Sequence, residues 1–195
     1  NYIENAKLLA VVKSDAYGHG ILPVALKVID SGADFLGVSN IDEGIFLREN
    51  GINIPILLLN PFLPEHAEEV IRYNLTSTVC SFDMVQALNK AALKFSKRAL
   101  IHIKIDTGFG RFGLLPEHVL EFVKIISENL KNIYIEGIYT HFSSASNKSI
   151  TYTQFAKFMK VVQLISDKGF NIPIKHVCNS AATVDYPEMH LDMVR

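Results

Sequence analysis

The chain has only two cysteines, Cys80 and Cys178, too few for a disulfide framework. Both fall in apolar, strand-like segments, where a reduced, packed thiol is the expectation. No apolar run approaches the roughly 18 residues of a membrane span, and Asn1-Tyr2-Ile3-Glu4-Asn5 carries no signal-peptide pattern. These absences point to a cytoplasmic protein without a membrane partner. An excess of one charge is also missing: 19 Lys and Arg stand against 20 Asp and Glu, so neither a nucleic-acid footprint nor an acidic partner is expected. His19, His141, His176 and His190 raise the idea of a metal-dependent hydrolase, since barrels gather histidines from different strands. There is no H-x-x-x-H or H-x-H spacing to support it, and no metal is expected. Long linkers and low-complexity inserts are lacking too, which leaves one domain over residues 1–195.

What is present is apolar residue, 49% of the chain, in short runs separated by helical patterns. Leu8 to Val12 reads as a buried strand. Ile21 to Ser31 has helical spacing and stops at Gly32, a natural C-cap. Strands over 35–39, 55–59, 76–80, 99–106, 133–142 and 174–178 alternate with helices over 42–50, 65–73, 82–95, 116–130 and 151–168, and 191–194 begins an eighth strand. Pro-Ile-Leu-Leu-Leu at 55–59 shows no alternation, which suits a parallel sheet covered on both faces by helices. Regular strand-helix alternation fits an α/β barrel, although a doubly wound open sheet has the same pattern. The unusual residues favour the barrel: Lys13, Lys104, His141, Ser180 and Arg195 sit at or just past strand ends, where barrel sites are built from several strands at once. At 195 residues the chain is short for a complete barrel.

Four stretches carry chemistry. In Ala10-Val11-Val12-Lys13-Ser14-Asp15-Ala16-Tyr17-Gly18-His19-Gly20 a strand delivers one lysine at its end and gives way to a polar, Gly-punctuated loop. Partial burial would favour a neutral amine able to form a Schiff base with an aldehyde cofactor; a lysine snorkelling to solvent has the same local sequence. In Ile101-His102-Ile103-Lys104-Ile105-Asp106 side chains alternate, so His102, Lys104 and Asp106 point into the barrel if the isoleucines face the helices. An internal Lys104 to Asp106 salt link is then the plain structural reading. Gly108-Phe109-Gly110-Arg111-Phe112-Gly113 spells G-x-G-x-x-G, but at the fifth strand rather than the first, so dinucleotide binding is rejected and Arg111 is aimed at an anion. After strand seven, Asn179 or Ser180 can cap a short helix through Ala181 and Ala182, whose free N–H groups suit phosphate.

These strings, with Thr140-His141-Phe142 and Leu191-Asp192-Met193-Val194-Arg195, resemble in order the motifs of the alanine racemases. The resemblance implies a TIM-type (β/α)8 barrel, incomplete here: strand eight cut short, the last helix and a β-rich C-terminal domain absent, the barrel left open between strands eight and one. It implies pyridoxal phosphate as cofactor and a small amino acid as substrate. Lys13 would carry the cofactor and serve as one base; Arg111 would sit by the substrate carboxylate. Tyr17 and Ser180 would meet the phosphate, with Asn179 beside them as a further cofactor-binding residue; His141 would pack on the ring, and Arg195 would face the pyridine nitrogen. His176 would support Arg195, and Lys104 would be a candidate for carbamylation. The implied reaction interconverts L- and D-alanine with two bases. The second base is a tyrosine supplied by a partner subunit of a homodimer, and no residue here matches it. A non-catalytic pyridoxal-phosphate-binding barrel, or a racemase of serine or another small amino acid, shares these motifs.

Overall fold

A computed structural model describes residues 3 and 5–195. The reading of Asn1, Tyr2 and Glu4 therefore lies outside the described residues. Eight strands run parallel in the order β7-β6-β5-β4-β3-β2-β1-β8. They are β1 Lys7–Val11, β2 Phe35–Val38, β3 Ile56–Leu58, β4 Thr76–Val79, β5 Ala99–Lys104, β6 Ile133–Tyr139, β7 Ile174–His176 and β8 Met193–Val194. The intervening helices are α1 Ile21–Asp30, α2 Ile41–Glu49, α3 Ala67–Arg72, α4 Phe82–Lys94, α5 Pro116–Asn129 and α6 Lys148–Asp167, with a short α7 at Ser180–Asp185. This is the α/β barrel, and the open doubly wound sheet is set aside: β8 continues the sheet by pairing with β1, Lys7 opposite Met193 and Leu8 opposite Val194.

That pairing corrects the expectation of an opening between strands eight and one. The weak seam lies instead between β7 and β8, which form no ladder. It is bridged by two backbone bonds, Asp192 N–H to Lys175 O (3.1 Å) and Arg195 N–H to Cys178 O (3.1 Å), and by the Asp192 carboxylate accepting from Lys175 N–H (2.8 Å). Two residues of strand suffice for closure because side chain and backbone together replace the missing ladder.

The strands bury both faces. Phe35, Leu36, Val38, Ile56, Leu57 and Leu58 are essentially inaccessible, some against the helices and others against the barrel interior. α6 begins at Lys148, three residues before the apolar pattern suggests, because Asn147 caps it by accepting from Ile150 N–H (3.2 Å). Gly137 interrupts β6 where β5 and β6 change register: Ile101 faces Ile135, yet His102 faces Gly137, so Glu136 is an extra, bulged residue. A Cβ on Gly137 would come within 2.5 Å of the His102 ring, which is why only glycine fits beside that imidazole.

Candidate active site

The β1 strand ends in an unusual way. Ser14, Asp15, Ala16 and Tyr17 all have positive φ, between 50° and 57°, so the residues after Lys13 form one turn of left-handed helix rather than an irregular loop. Non-glycine residues in this conformation cost roughly 1–2 kcal/mol each. The turn persists because its polar groups are held from outside and within. Glu43 in α2 accepts from Ser14 N–H (2.6 Å) and, with its other oxygen, from Ser39 N–H (2.7 Å). Asp15 accepts from Ile21 N–H at the start of α1 (2.7 Å), and Ala16, which is buried, donates its N–H to Val12 O (2.9 Å). Strained backbone held in this manner fixes the chain on either side of it. Lys13, half-buried, leaves the strand at that point, and among the described residues no hydrogen bond engages its Nζ.

Lys104 enters the same space from β5. It is 1% exposed, donates to Phe112 O (2.7 Å) and lies 4.1 Å from the centroid of the Phe112 ring. Burial, and next the neighbouring Arg111 charge, lower its pKa to about 8. The internal salt link to Asp106 does not form. Asp106 instead accepts from the N–H groups of Gly108, Phe109 and Gly110 (2.9, 2.8 and 2.8 Å). Burial acts against that carboxylate, but the three donors outweigh it and its pKa falls below the ordinary value. Asp106 therefore shapes the loop that carries Arg111 and does not point to the barrel centre as the alternation suggests. In the same loop Gly113, at φ +141°, would place a Cβ 2.7 Å from Asp106 N. The glycine spacing thus answers to a loop folded tightly on its own strand, not to a pyrophosphate. Arg111 is exposed and rests over Phe109 (4.5 Å) and Phe112 (5.2 Å).

From β6, β7 and β8 come His141, His176 and Arg195. Arg195 donates to His176 Nδ1 (2.7 Å), to His141 Nδ1 (3.1 Å) and to the carbonyls of Thr140 (3.0 Å) and Val177 (3.2 Å). His141, desolvated and ringed by Arg195, Arg111, Lys104 and Lys13, has its pKa lowered to about 3 and is neutral. At the start of α7 the cap is Asn179, whose side chain accepts from Ala182 N–H (3.0 Å), leaving exposed Ser180 as the first helical residue.

Lys13, Tyr17, Lys104, Arg111, His141, Asn179, Ser180 and Arg195 all line a single cleft of about 160 Å³, with Tyr139 and Asn60. His176 is the exception: it is fully buried behind Arg195, stacked on Tyr139 at 4.5 Å and 9°. Four cations and no carboxylate line this cleft. An uncompensated set of that kind is complementary to an anionic ligand. Tyr139 was not a sequence candidate, though the two-residue period that places His141 on the inner face of β6 also places Tyr139 there. The histidines of the metal reading are separately occupied: His19 on Ala16 O (3.0 Å), His190 on Thr183 O (2.8 Å), and His141 and His176 on Arg195. Among the described residues no three His, Cys, Asp or Glu side chains form a metal-holding group.

Residues 1–195 match the family described as "Alanine racemase, N-terminal domain". The chain belongs to the alanine racemase family. Alanine racemase 1 of Oceanobacillus iheyensis is 46% identical over 197 residues, covering 98% of this chain and 52% of that protein. The alanine racemase of Halothermothrix orenii is 44% identical over 193 residues, again 98% of this chain and 51% of the relative. The solved alanine racemase of Clostridium difficile 630 superposes with a TM-score of 0.96 at 39% identity, over 100% of this chain and 52% of that one. The same racemase in complex with cycloserine gives 0.95 at 40% identity, over 100% of this chain and 54% of that one. The chain thus spans about half the length of these alanine racemases.

Proposed function

We propose that this chain is the pyridoxal-phosphate-binding barrel of an enzyme that interconverts L- and D-alanine. The observation that supports this best is the cleft itself, with its four cations, no carboxylate and an uncommitted lysine amine. The donor set fits the cofactor. Ser180 and the start of α7, with Tyr17, would hold a phosphate; neutral His141 offers a flat ring face; Arg195 presents a fixed cation to a ring nitrogen. Bound pyridoxal phosphate supplies an electron sink that acidifies the amino acid's α-hydrogen. Arg195 opposite the ring nitrogen, where other such enzymes use an acid, would restrain that sink and favour prompt return of the proton over transamination.

Lys13 Nζ would take or return the α-proton on one face of the amino acid, and Arg111 would hold its carboxylate. Lys104, with its lowered pKa, has an amine that in its neutral form would attack carbon dioxide: the N–C bond forms as one C=O π pair moves onto oxygen, the nitrogen's extra proton passes to water, and the resulting carbamate would pair with Arg111. The second base would be a tyrosine from the partner in a homodimer. The enzyme would serve peptidoglycan synthesis from the cytoplasm; among the described residues no helix is long and apolar enough to cross a membrane.

Two measurements test this. A visible absorption band in the purified full-length protein, fixed by borohydride as a pyridoxyl group on Lys13, supports it; a label only on Lys104, or on no lysine, overturns the assignment. Racemisation assayed with alanine and serine side by side tests reaction and substrate together. The isolated 195 residues should be essentially inactive, because they lack one of two bases, and general acid–base catalysis contributes about 10²–10⁴-fold. A rate within about tenfold of full length would place both bases in this chain.

A further inference from the structure

Behind the cleft, beyond the support that His176 gives Arg195, lies a line of polar side chains that the reaction does not itself require. His102 Nδ1 is 2.9 Å from His176 Nε2, and His102 Nε2 is 3.2 Å from the Glu136 carboxylate. Both imidazoles are completely buried, and the Glu136 side chain is 17% exposed. We propose that Glu136 is a positioning residue for Arg195, acting through His102 and His176 along a chain of hydrogen bonds that runs in one direction, from guanidinium to carboxylate.

The direction follows from what the two ends can do. A guanidinium only donates, so His176 Nδ1, at 2.7 Å from Arg195 Nη1, is an acceptor and carries no proton. Neutral His176 then bears its proton on Nε2 and donates it to His102 Nδ1. That nitrogen is in turn bare, so neutral His102 bears its proton on Nε2 and donates it to Glu136, which only accepts when ionised. Every nitrogen of both rings is used, and one arrangement of protons satisfies all three links. Both rings are held neutral chiefly by burial, which lowers the pKa of each. The charged groups acting on them are Glu136 at one end and Arg195 at the other, while Tyr139 stacks on the His176 ring and Phe35 lies tilted beside His102.

Without an obligate acceptor at the far end, His102 and His176 could both turn to their Nδ1-protonated forms. His176 would then present N–H to the N–H of Arg195, and the guanidinium would lose its shortest contact. A carboxylate that fixes the tautomer of an imidazole is a known device of active sites; here it is relayed through a second ring. The backbone is built for it: the β6 bulge turns Glu136 toward His102, and Gly137 leaves room for the ring. The proposal rests on the reading of Arg195 as the residue facing the ring nitrogen.

The test uses the full-length protein labelled with ¹⁵N-histidine, in apo and cofactor-loaded forms. Near neutral pH, His102 and His176 should both show bare Nδ1 and protonated Nε2. In Glu136→Gln the amide can accept or donate, so Nδ1-protonated forms should emerge. Racemisation should slow about 10–100-fold, the range typical when a group that orients another functional side chain is lost, with kcat falling more than KM. His102→Phe, which keeps a ring and removes both nitrogens, should release His176 in the same way and serves if Glu136→Gln does not fold. An Nδ1 proton on either ring of the unaltered protein, or unchanged tautomers and rate in both variants, overturns the proposal. Lack of cofactor binding or racemase activity in the unaltered protein would instead strike the proposed reaction, and the apo tautomers would still decide the direction of the chain.

Discussion

Lys13 and Arg195 bring positive charge to one cleft from adjacent strands, β1 and β8, by opposite means. Lys13 is positioned through backbone: four residues in left-handed conformation follow it, clamped by Glu43 and Asp15, while its amine has no hydrogen bond among the described residues. Arg195 is positioned through its side chain, which donates to two imidazoles and two carbonyls. The difference matches the two kinds of work proposed for them. A group that must form and break bonds cannot be tied at its reactive atom, so precision comes from the segment that carries it. A group that only presents charge can be tied everywhere except toward its target.

Removing each cation should separate the two modes. Lys13→Ala in the full-length protein should give the largest effect, a loss of racemisation of about 10²–10⁴-fold or more, with a melting temperature close to that of the unaltered protein, because no partner is left behind. Arg195→Glu should slow racemisation by about 10²-fold and raise side transamination, read by following pyruvate formation alongside enantiomer exchange. It should also destabilise the fold, since His176 and His141 lose their donor. An unchanged partition between the two reactions contradicts the role given to Arg195.

Glu43→Ala probes the clamp instead of the cation. It strands Ser14 N–H and Ser39 N–H and leaves a strained turn without its external acceptor, so unfolding stability should fall by about 1–3 kcal/mol in denaturant titration. Activity should drop with it although Glu43 does not line the cleft. Full activity in a destabilised variant would show that the turn does not need the clamp to aim Lys13.

The smallest effect is one of pH. His141, lowered to about 3, and His102 and His176, both lowered, are neutral in the fold but take up a proton in the unfolded chain below its ordinary value near 6.5. Where the unfolded state binds more protons, stability rises with pH. The His141 contribution is therefore complete above about 6.5 and is lost progressively as pH falls toward 3, and those of His102 and His176 decline in the same direction. Chemical unfolding at stepped pH should show a decline beginning near 6.5, and Arg195→Glu should flatten the His141 and His176 part of it. A flat profile from 7 to 4 would contradict the neutral rings.

The sequence by itself determined the succession of strands and helices, and the cleft residues that sit at strand ends: Lys13, Lys104, His141, Ser180 and Arg195. Both are local properties. An apolar run of four to seven residues specifies a buried strand, and a polar residue at its end is carried to the barrel mouth wherever the strand goes. Tyr139 is equally legible by the two-residue period. Tertiary structure alone decided the rest. Ser14 meets Glu43 from 29 residues away and His102 meets His176 from 74, and no local pattern encodes such pairs. The left-handed turn reads as an ordinary polar loop because the carboxylate that clamps it from outside, Glu43, is distant in sequence, and the bond that Asp15 makes within it looks no different from a turn residue's. Asp106 has the same phase as Lys104, but β5 ends first, and loop N–H groups claim it. Glu136-Gly137 left a faint trace, a charge and a glycine inside a strand, which signals a bulge without saying what the bulge aims at. The closure of β8 on β1 likewise depended on two residues whose pairing only the curvature of the whole sheet brings together.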